Sequence, residues 1–208
     1  EIVARTFSGV CGEMRKVTIR NRSDVSVRVT LEASCEPVLG SEEDDEAHRE
    51  FYSMKLGFER KDNYVVAFRK ETSTYAAFGI AGADGKIIVD RRCFYGRRKY
   101  EPERITDGIC GVRSQIELAA GEEKTVNVFI VAAHDRQKLE NDVSLVYSFG
   151  FFEREKGGAS RDPLADKYYT AISSAVGVYK NRELAAVVNL TMPTVCVKVE
   201  NAASVERL

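Results

Sequence analysis

Between Val25 and Ala33 every second residue is apolar: Val25, Val27, Val29, Leu31 and Ala33 alternate with Ser26, Arg28, Thr30 and Glu32. A period of two puts one set of side chains on a buried face and the other in water, which is the geometry of a half-buried strand and not of a helix. The same rule recurs along the first two thirds of the chain. Residues 16–20, 64–69, 75–80, 87–90, 112–118 and 124–131 read as further strands, and residues 1–5 as one more. Polar turns separate them, at 21–24, 83–86 and 119–123. The turn at 21–24 predicts a hairpin between 16–20 and 25–33, with Val17 and Ile19 sharing an inward face. Many short strands without helices between them give a mainly β fold, an antiparallel two-sheet sandwich or barrel and not a parallel α/β sheet.

Two segments depart from this pattern. The acidic run Ser41-Glu42-Glu43-Asp44-Asp45-Glu46 reads as a solvated loop. Past residue 142 the composition changes, and residues 153–160 are polar and Gly-containing like a linker. Asp162-Pro163 then reads as an N-cap followed by Pro at the first helical position. Apolar residues at helical spacing predict a helix over 163–180 and a second over 182–190, ended by Pro193, before a strand at 194–200. The organisation expected is a β domain over 1–142, a linker-like segment over 143–162, and a helical appendage over 163–208. The terminal strand of that appendage can return to the sandwich.

Composition narrows the function classes. Of 208 residues, 44% are hydrophobic and 30% charged, enough to bury a real core. The formal net charge is −1, so no global field recruits nucleic acid or an anionic membrane. No apolar run approaches the roughly 20 residues that span a bilayer. Cys11, Cys35, Cys93, Cys110 and Cys196 are scattered and odd in number, which points to a reducing, cytoplasmic compartment and away from a disulfide framework or zinc site. The chain opens inside a strand, without an initiator Met or signal segment, and reads as cut from something longer.

Chemistry-bearing residues are sparse. The only histidines are His48 and His134, too few for a His-rich metal site. His48, beside Asp44, Asp45 and Glu46, can be read as a metal ligand, a general base or an ordinary loop residue. His134 reads as structural or exposed. No nucleophile elbow or phosphate-cradling Gly-rich loop is present. The 32 acidic residues do not single out a carboxylate pair, so no catalytic residue, metal or cofactor is assigned. Most of the aromatic residues, from Phe51 to Tyr100, fall where strands would bury them. The run Arg91-Arg92-Cys93-Phe94-Tyr95-Gly96-Arg97-Arg98 stands apart, with four arginines around a Phe-Tyr-Gly turn. Fixed positive charge beside aromatic faces is what sugars and phosphates use. The octet also fits a solvated loop, and its arginines fit an internal salt bridge to the acidic run at 42–46.

Three segments, in order, resemble glycoside hydrolase family 94. Residues 15–23 (Arg-Lys-Val-Thr-Ile-Arg-Asn-Arg-Ser) resemble a strand of that family. Glu36-Pro37-Val38-Leu39 with the 45–51 stretch Asp-Glu-Ala-His-Arg-Glu-Phe resembles a second segment, and Asp90 through Arg97 a third. The departures are Arg49 in place of a Pro after the His, Cys93 and Tyr95 around the Phe, and a missing Asp-Pro near Gly111. The resemblance covers roughly residues 1–142. It implies the family's N-terminal β-supersandwich, similar to galactose mutarotase. It further implies a domain without catalysis of its own, in an inverting glycoside phosphorylase or cyclic β-1,2-glucan synthase. In such a parent, a separate (α/α)6 barrel carries out phosphorolysis of β-glucosides with inorganic phosphate. The partners implied are that barrel, a β-linked glucan or disaccharide, and a second copy in a homodimer. Arg91, Phe94, Gly96 and Arg97, then His48, are the expected substrate contacts. Two alternatives stand beside this reading: a free-standing carbohydrate-binding module and a mutarotase-like aldose epimerase.

Overall fold

The alternating segments do form strands, and they are dealt between two sheets. The computed structural model describes residues 2–6, 10–40, 42–148, 151 and 190–200. In chain order these hold β1 (Ile2–Thr6), β2 (Gly12–Arg20), β3 (Val27–Pro37), α1 (Glu42–Ser53), β4 (Gly57–Arg60), β5 (Tyr64–Arg69), β6 (Thr74–Ala81) and β7 (Lys86–Asp90). They continue with α2 (Arg91–Phe94), β8 (Gly108–Leu118), β9 (Glu123–Ala133), α3 (Arg136–Tyr147) and β10 (Leu190–Glu200). A six-stranded sheet has the order β1-β2-β9-β6-β5-β4, and a four-stranded sheet the order β10-β3-β8-β7. Neighbouring strands are antiparallel throughout.

The core between the sheets follows from the alternation. Val29, Leu31, Ala33 and Cys35 of β3 point inward, with Cys110, Val112, Ile116 and Leu118 of β8 beside them. They meet Val65, Ala67, Phe78, Ile80, Val126, Val128 and Ile130 from the larger sheet. The intervening residues of β3 and β8 pair by charge on the other face: Arg28 Nη2 lies 2.5 Å from Glu117 Oε1, and Arg113 Nε donates to Glu32 Oε1 at 2.7 Å. The outer face of the larger sheet is apolar as well, and α3 covers it. Leu139, Val143 and Val146 recur at helical spacing and pack on Met14, Val66, Ala77, Phe129 and Val131. Asp135 caps this helix by accepting from Lys138 N at 2.7 Å.

Four expectations are corrected. β2 and β3 do not form a hairpin: β2 pairs with β1 and β9, and β3 with β8 and β10. The reason is Asn21, whose Nδ2 donates to the carbonyls of Val25, Leu118 and Ala119 at 2.7, 3.2 and 2.8 Å. Its Oδ1 accepts from Ser23 N and Oγ. These bonds hold the turn in a crossover between sheets, although Val17 and Ile19 do share the inward face. The acidic run is not a loop but the start of α1, where Glu is a good helix former and negative charge suits the N-terminal end of the dipole. Residue 142 lies inside α3, so the β domain carries a helix that the strand pattern did not announce. Finally, Leu190 and Pro193 belong to β10 and not to a helix end. The strand lies at the edge of its sheet, and its register shifts between Thr191 and Thr194, a position where the missing proline N–H is tolerated. The predicted terminal strand thus pairs with β3. The linker at 153–160 and the helices predicted over 163–189 lie outside the described residues. No helix among the described residues is long and apolar enough to cross a membrane.

Candidate functional site

β3 and β7 both run antiparallel to β8, so both point the same way and release their chains at one end of the smaller sheet. β3 leads into α1 and β7 into α2, and the segment 95–107 returns from α2 to the start of β8. The two excursions are joined. Ser53 Oγ at the end of α1 donates to Thr106 O at 3.4 Å. Arg91 spans the junction, with Nη2 3.1 Å from Glu36 Oε2 and Nε 2.9 Å from Asp107 Oδ1. The Nε contact is an ion pair without hydrogen-bond alignment. The partners of Arg91 are therefore the carboxylates that bracket the two excursions.

Asp90 begins the second excursion. Its buried carboxylate accepts from Cys93 N at 2.8 Å, capping α2, and from Arg98 Nη1 at 3.1 Å. Burial, then Asp90, pushes the Cys93 thiol up, away from thiolate reactivity. Phe94 packs on Ile88 and Ile109, on the face of the smaller sheet turned away from the core, and lies against Gly111, where a Cβ would come within 2.5 Å of its ring. Its carbonyl accepts from Arg113 Nη2 at 3.1 Å. Gly96 has φ +71°, a conformation side chains disfavour, and it turns the chain so that its N–H reaches Cys93 O at 3.1 Å. Arg97 follows with its N–H on Arg92 O and its side chain exposed.

The rest of the segment is pinned by Glu101. Its Oε1 accepts from Val89 N at 2.6 Å and Asp90 N at 2.9 Å, and its other oxygen pairs with Arg60. Two consecutive N–H groups reach the same acceptor because the β7–β8 register shifts between Ile88 and Asp90. Between these anchors Tyr95 is 55% exposed and Tyr100 72% exposed. Arg92, Arg97 and Lys99 are exposed beside them, with Lys99 Nζ 5.2 Å from the Tyr100 ring centre. The end of the sandwich thus displays two flat rings among cations on a segment held at both ends.

The candidate residues from sequence fall into three settings. Arg91 and Phe94 are built into the framework, and Gly96 supplies the bend that presents Arg97. His48 sits in the adjacent α1, at a break in helical geometry (φ −147°, ψ 54°), exposed and edge-on to Phe51 at 6.4 Å. His134 is exposed at the end of β9. Tyr95 and Tyr100 were not singled out from the aromatics, because alternation says nothing about rings outside strands. Arg69 was missed altogether. It is 1% exposed, stacks 3.7 Å from the Tyr52 ring centre, and donates through Nη2 to Tyr52 O at 2.8 Å, which ties α1 to the larger sheet. The signal was available: alternation in β5 puts Arg69 on the inward face with Val65 and Ala67. Among the described residues no group of three or more His, Cys, Asp or Glu side chains could hold a metal ion.

Two facing antiparallel sheets with a helix on the outer face of the larger one define a β-supersandwich. The chain matches the glycosyl hydrolase 94 supersandwich domain over residues 9–146, and it belongs to that family. The resemblance read from the three sequence segments is borne out by that match. No curated protein matches the chain. Among solved structures it is similar to a putative aldose 1-epimerase from Klebsiella pneumoniae, with 7% identity and a TM-score of 0.36 over 71% of this chain. The match spans 50% of that structure's length.

Proposed function

We propose that this chain is a carbohydrate-associated domain without catalysis of its own, serving an inverting glycoside phosphorylase or a cyclic β-glucan synthase. In that parent an (α/α)6 barrel performs phosphorolysis, and this domain holds the barrel and shapes the entrance for a β-linked oligosaccharide. Family membership supports the class. The observation that carries the local role is the pinned 95–107 segment, with Tyr95 and Tyr100 as flat faces for sugar rings and Arg97 as a donor to hydroxyl or phosphate oxygens. Arg91, Phe94 and Gly96 act as positioning residues that fix this segment, and His48 lies on the neighbouring α1. The free thiols among the described residues, Cys11, Cys35, Cys93 and Cys110, fit a reducing, cytoplasmic setting.

The experiment is a comparison of the chain alone with the chain joined to a candidate barrel. The chain alone is expected neither to release phosphate from an α-sugar 1-phosphate and acceptor nor to accelerate anomer interconversion of a hexose. Joined to the barrel, Arg97→Ala with Tyr100→Ala is expected to raise KM for the oligosaccharide with little change in kcat. Turnover by the chain alone, lost in His48→Ala, would overturn the proposal in favour of an epimerase. A second reading, a free-standing carbohydrate-binding module, draws on the same exposed rings. It is preferred if the chain alone binds glucan and no barrel partner exists.

A further inference from the structure

Two buried thiols face each other across the ladder between β3 and β8. Cys35, near the end of β3, and Cys110, near the start of β8, are direct partners in the antiparallel register. Both belong to the core between the sheets, and they are only 2% and 1% exposed. Directly opposed residues of antiparallel strands stand about 4.5 or 5.5 Å apart at Cα, according to the type of pair. Either separation falls within the roughly 4.4–6.8 Å that a disulfide spans. The two thiols are already in contact, one hydrogen-bonded to the other. The other cysteines with described side chains stand elsewhere: Cys93 packs with Ile88 and Ile109 on the far face of this sheet, and Cys11 lies just before β2 of the larger one.

The ladders outside this pair are both interrupted at the same row. On one side Thr191 pairs with Glu36 and Thr194 with Ser34, so Cys35 stands opposite Met192 and Pro193, and Pro193 brings no N–H. On the other side Ile88 pairs with Gly111 and Asp90 with Gly108, so Ile109 and Cys110 together oppose Val89. The N–H of Val89 goes to Glu101 Oε1. Each cysteine is thus in register with the other while its outer ladder bulges, and a bulge lets the strand bend and twist locally. We propose that Cys35 and Cys110 are a redox-active pair, closed to a disulfide by a peroxide and reopened by a dithiol reductant. One sulfur attacks a peroxide oxygen, the O–O bond breaks, and a sulfenic acid forms as water leaves. The second sulfur attacks the first, the S–O bond breaks, and a second water carries off the remaining thiol proton. Two thiols and one hydrogen peroxide give one disulfide and two waters, the sulfurs oxidised and the peroxide oxygens reduced. Burial pushes the Cys35 thiol up, so reaction waits on brief opening at the two bulges and favours a small oxidant. Glu36, which holds Arg91, follows Cys35 directly, and the 95–107 segment re-enters the sheet just before Cys110. The disulfide therefore fastens β3 to β8 at the row where both excursions are rooted. This holds independently of the carbohydrate reading.

The test treats the reduced, folded 208-residue chain with hydrogen peroxide, blocks the remaining thiols by alkylation and digests it without reductant. Mass spectrometry is expected to find peptides joined through Cys35 and Cys110, two hydrogens lighter than their sum and separated again by dithiothreitol. Cys11→Ala with Cys93→Ala and Cys196→Ala leaves the pair intact and is expected to give the same product. This triple variant also covers the case of a Cys110→Ala chain, expected to lose the product, that does not fold. Amide exchange at Glu36 and Gly111, on either side of the pair, is expected to slow roughly threefold or more in the oxidised chain. A folded chain that yields no Cys35–Cys110 link overturns the proposal, as does a link that forms only in urea. So does a link that joins other cysteines in its place, oxidation of the two thiols separately to sulfinic acids, or a bond that leaves that exchange unchanged.

Discussion

Replacing Glu101 with Ala separates the anchoring of the 95–107 segment from the strands beneath it. Its Oε1 accepts from two backbone N–H groups at 2.6 and 2.9 Å. A hydrogen bond to a charged acceptor contributes about 1.5–3 kcal/mol when buried. This side chain is 25% exposed, so water replaces part of each bond in the variant. We therefore assign about 1 kcal/mol to each. The Arg60 partner is 47% exposed, and that pair adds under about 1 kcal/mol. The sum is a loss of about 2 kcal/mol, a sizeable share of the 5–15 kcal/mol typical of a domain. Glu101→Gln keeps an acceptor at Oε1 and should cost no more than about half as much. Urea denaturation gives both numbers, and amide exchange at Val89 and Asp90 reports the local opening. If Glu101→Ala stays within about 0.5 kcal/mol of the parent and those amides exchange no faster, Glu101 is not the anchor and the reasoning fails.

Other perturbations probe separate parts of the argument. Asn21→Ala removes the donor for three carbonyls and is expected to cost about 1–3 kcal/mol by urea denaturation, whereas an ordinary surface turn would give almost nothing. Gly111→Ala should destabilise by about 1–3 kcal/mol by pressing on the Phe94 ring, and Phe94→Leu in the same chain should recover part of it. Ending the chain at residue 142 deletes Val143 and Val146 from the outer face of the larger sheet and β10 from the smaller one, and should abolish the cooperative thermal transition; Val143→Ala with Val146→Ala in the full chain isolates the helix share, expected to cost about 2–5 kcal/mol by urea denaturation. Hydrogen bonds from Arg136 hold the Glu59 carboxyl below the usual carboxylate range. A depressed folded-state pKa gives stability that is present above the unfolded value and lost as pH falls through the folded one. Arg136→Met should therefore lower stability at neutral pH and flatten its decline at acid pH, in thermal melts across that range.

Strand positions were legible because burial on one face writes a period of two into the residues. Segments 64–69 and 87–90 fall on β5 and β7 for that reason. Pairing partners were not legible. Asn21 looks like any turn residue until Leu118 and Ala119 arrive from a remote strand to occupy its amide, and that meeting decides which sheet β3 joins. β4 has only four residues, too few for a period to show. α1 was hidden because its first turns are a run of acidic residues, and a helix whose sequence shows no apolar stripe leaves no periodic trace. In the candidate site, Gly96 and the cationic octet could be read locally. The seating of Phe94 on Ile88 and Ile109 and the long reach of Glu101 back to β7 depend on tertiary placement.

The seat of β10 bears on how the chain comes together as it is made. β3 lies between β8 and β10, so one of its edges stays open until residues 190–200 arrive. At roughly 5–20 residues per second a ribosome takes on the order of ten seconds to travel that distance. For that interval a nascent sandwich exposes the backbone amides and carbonyls of an eleven-residue alternating strand, an invitation to pair with a sister chain on the same polysome. Arg28 and Glu32, alternating with the buried apolar residues of that strand, place charge along the waiting edge and make such mispairing less welcome.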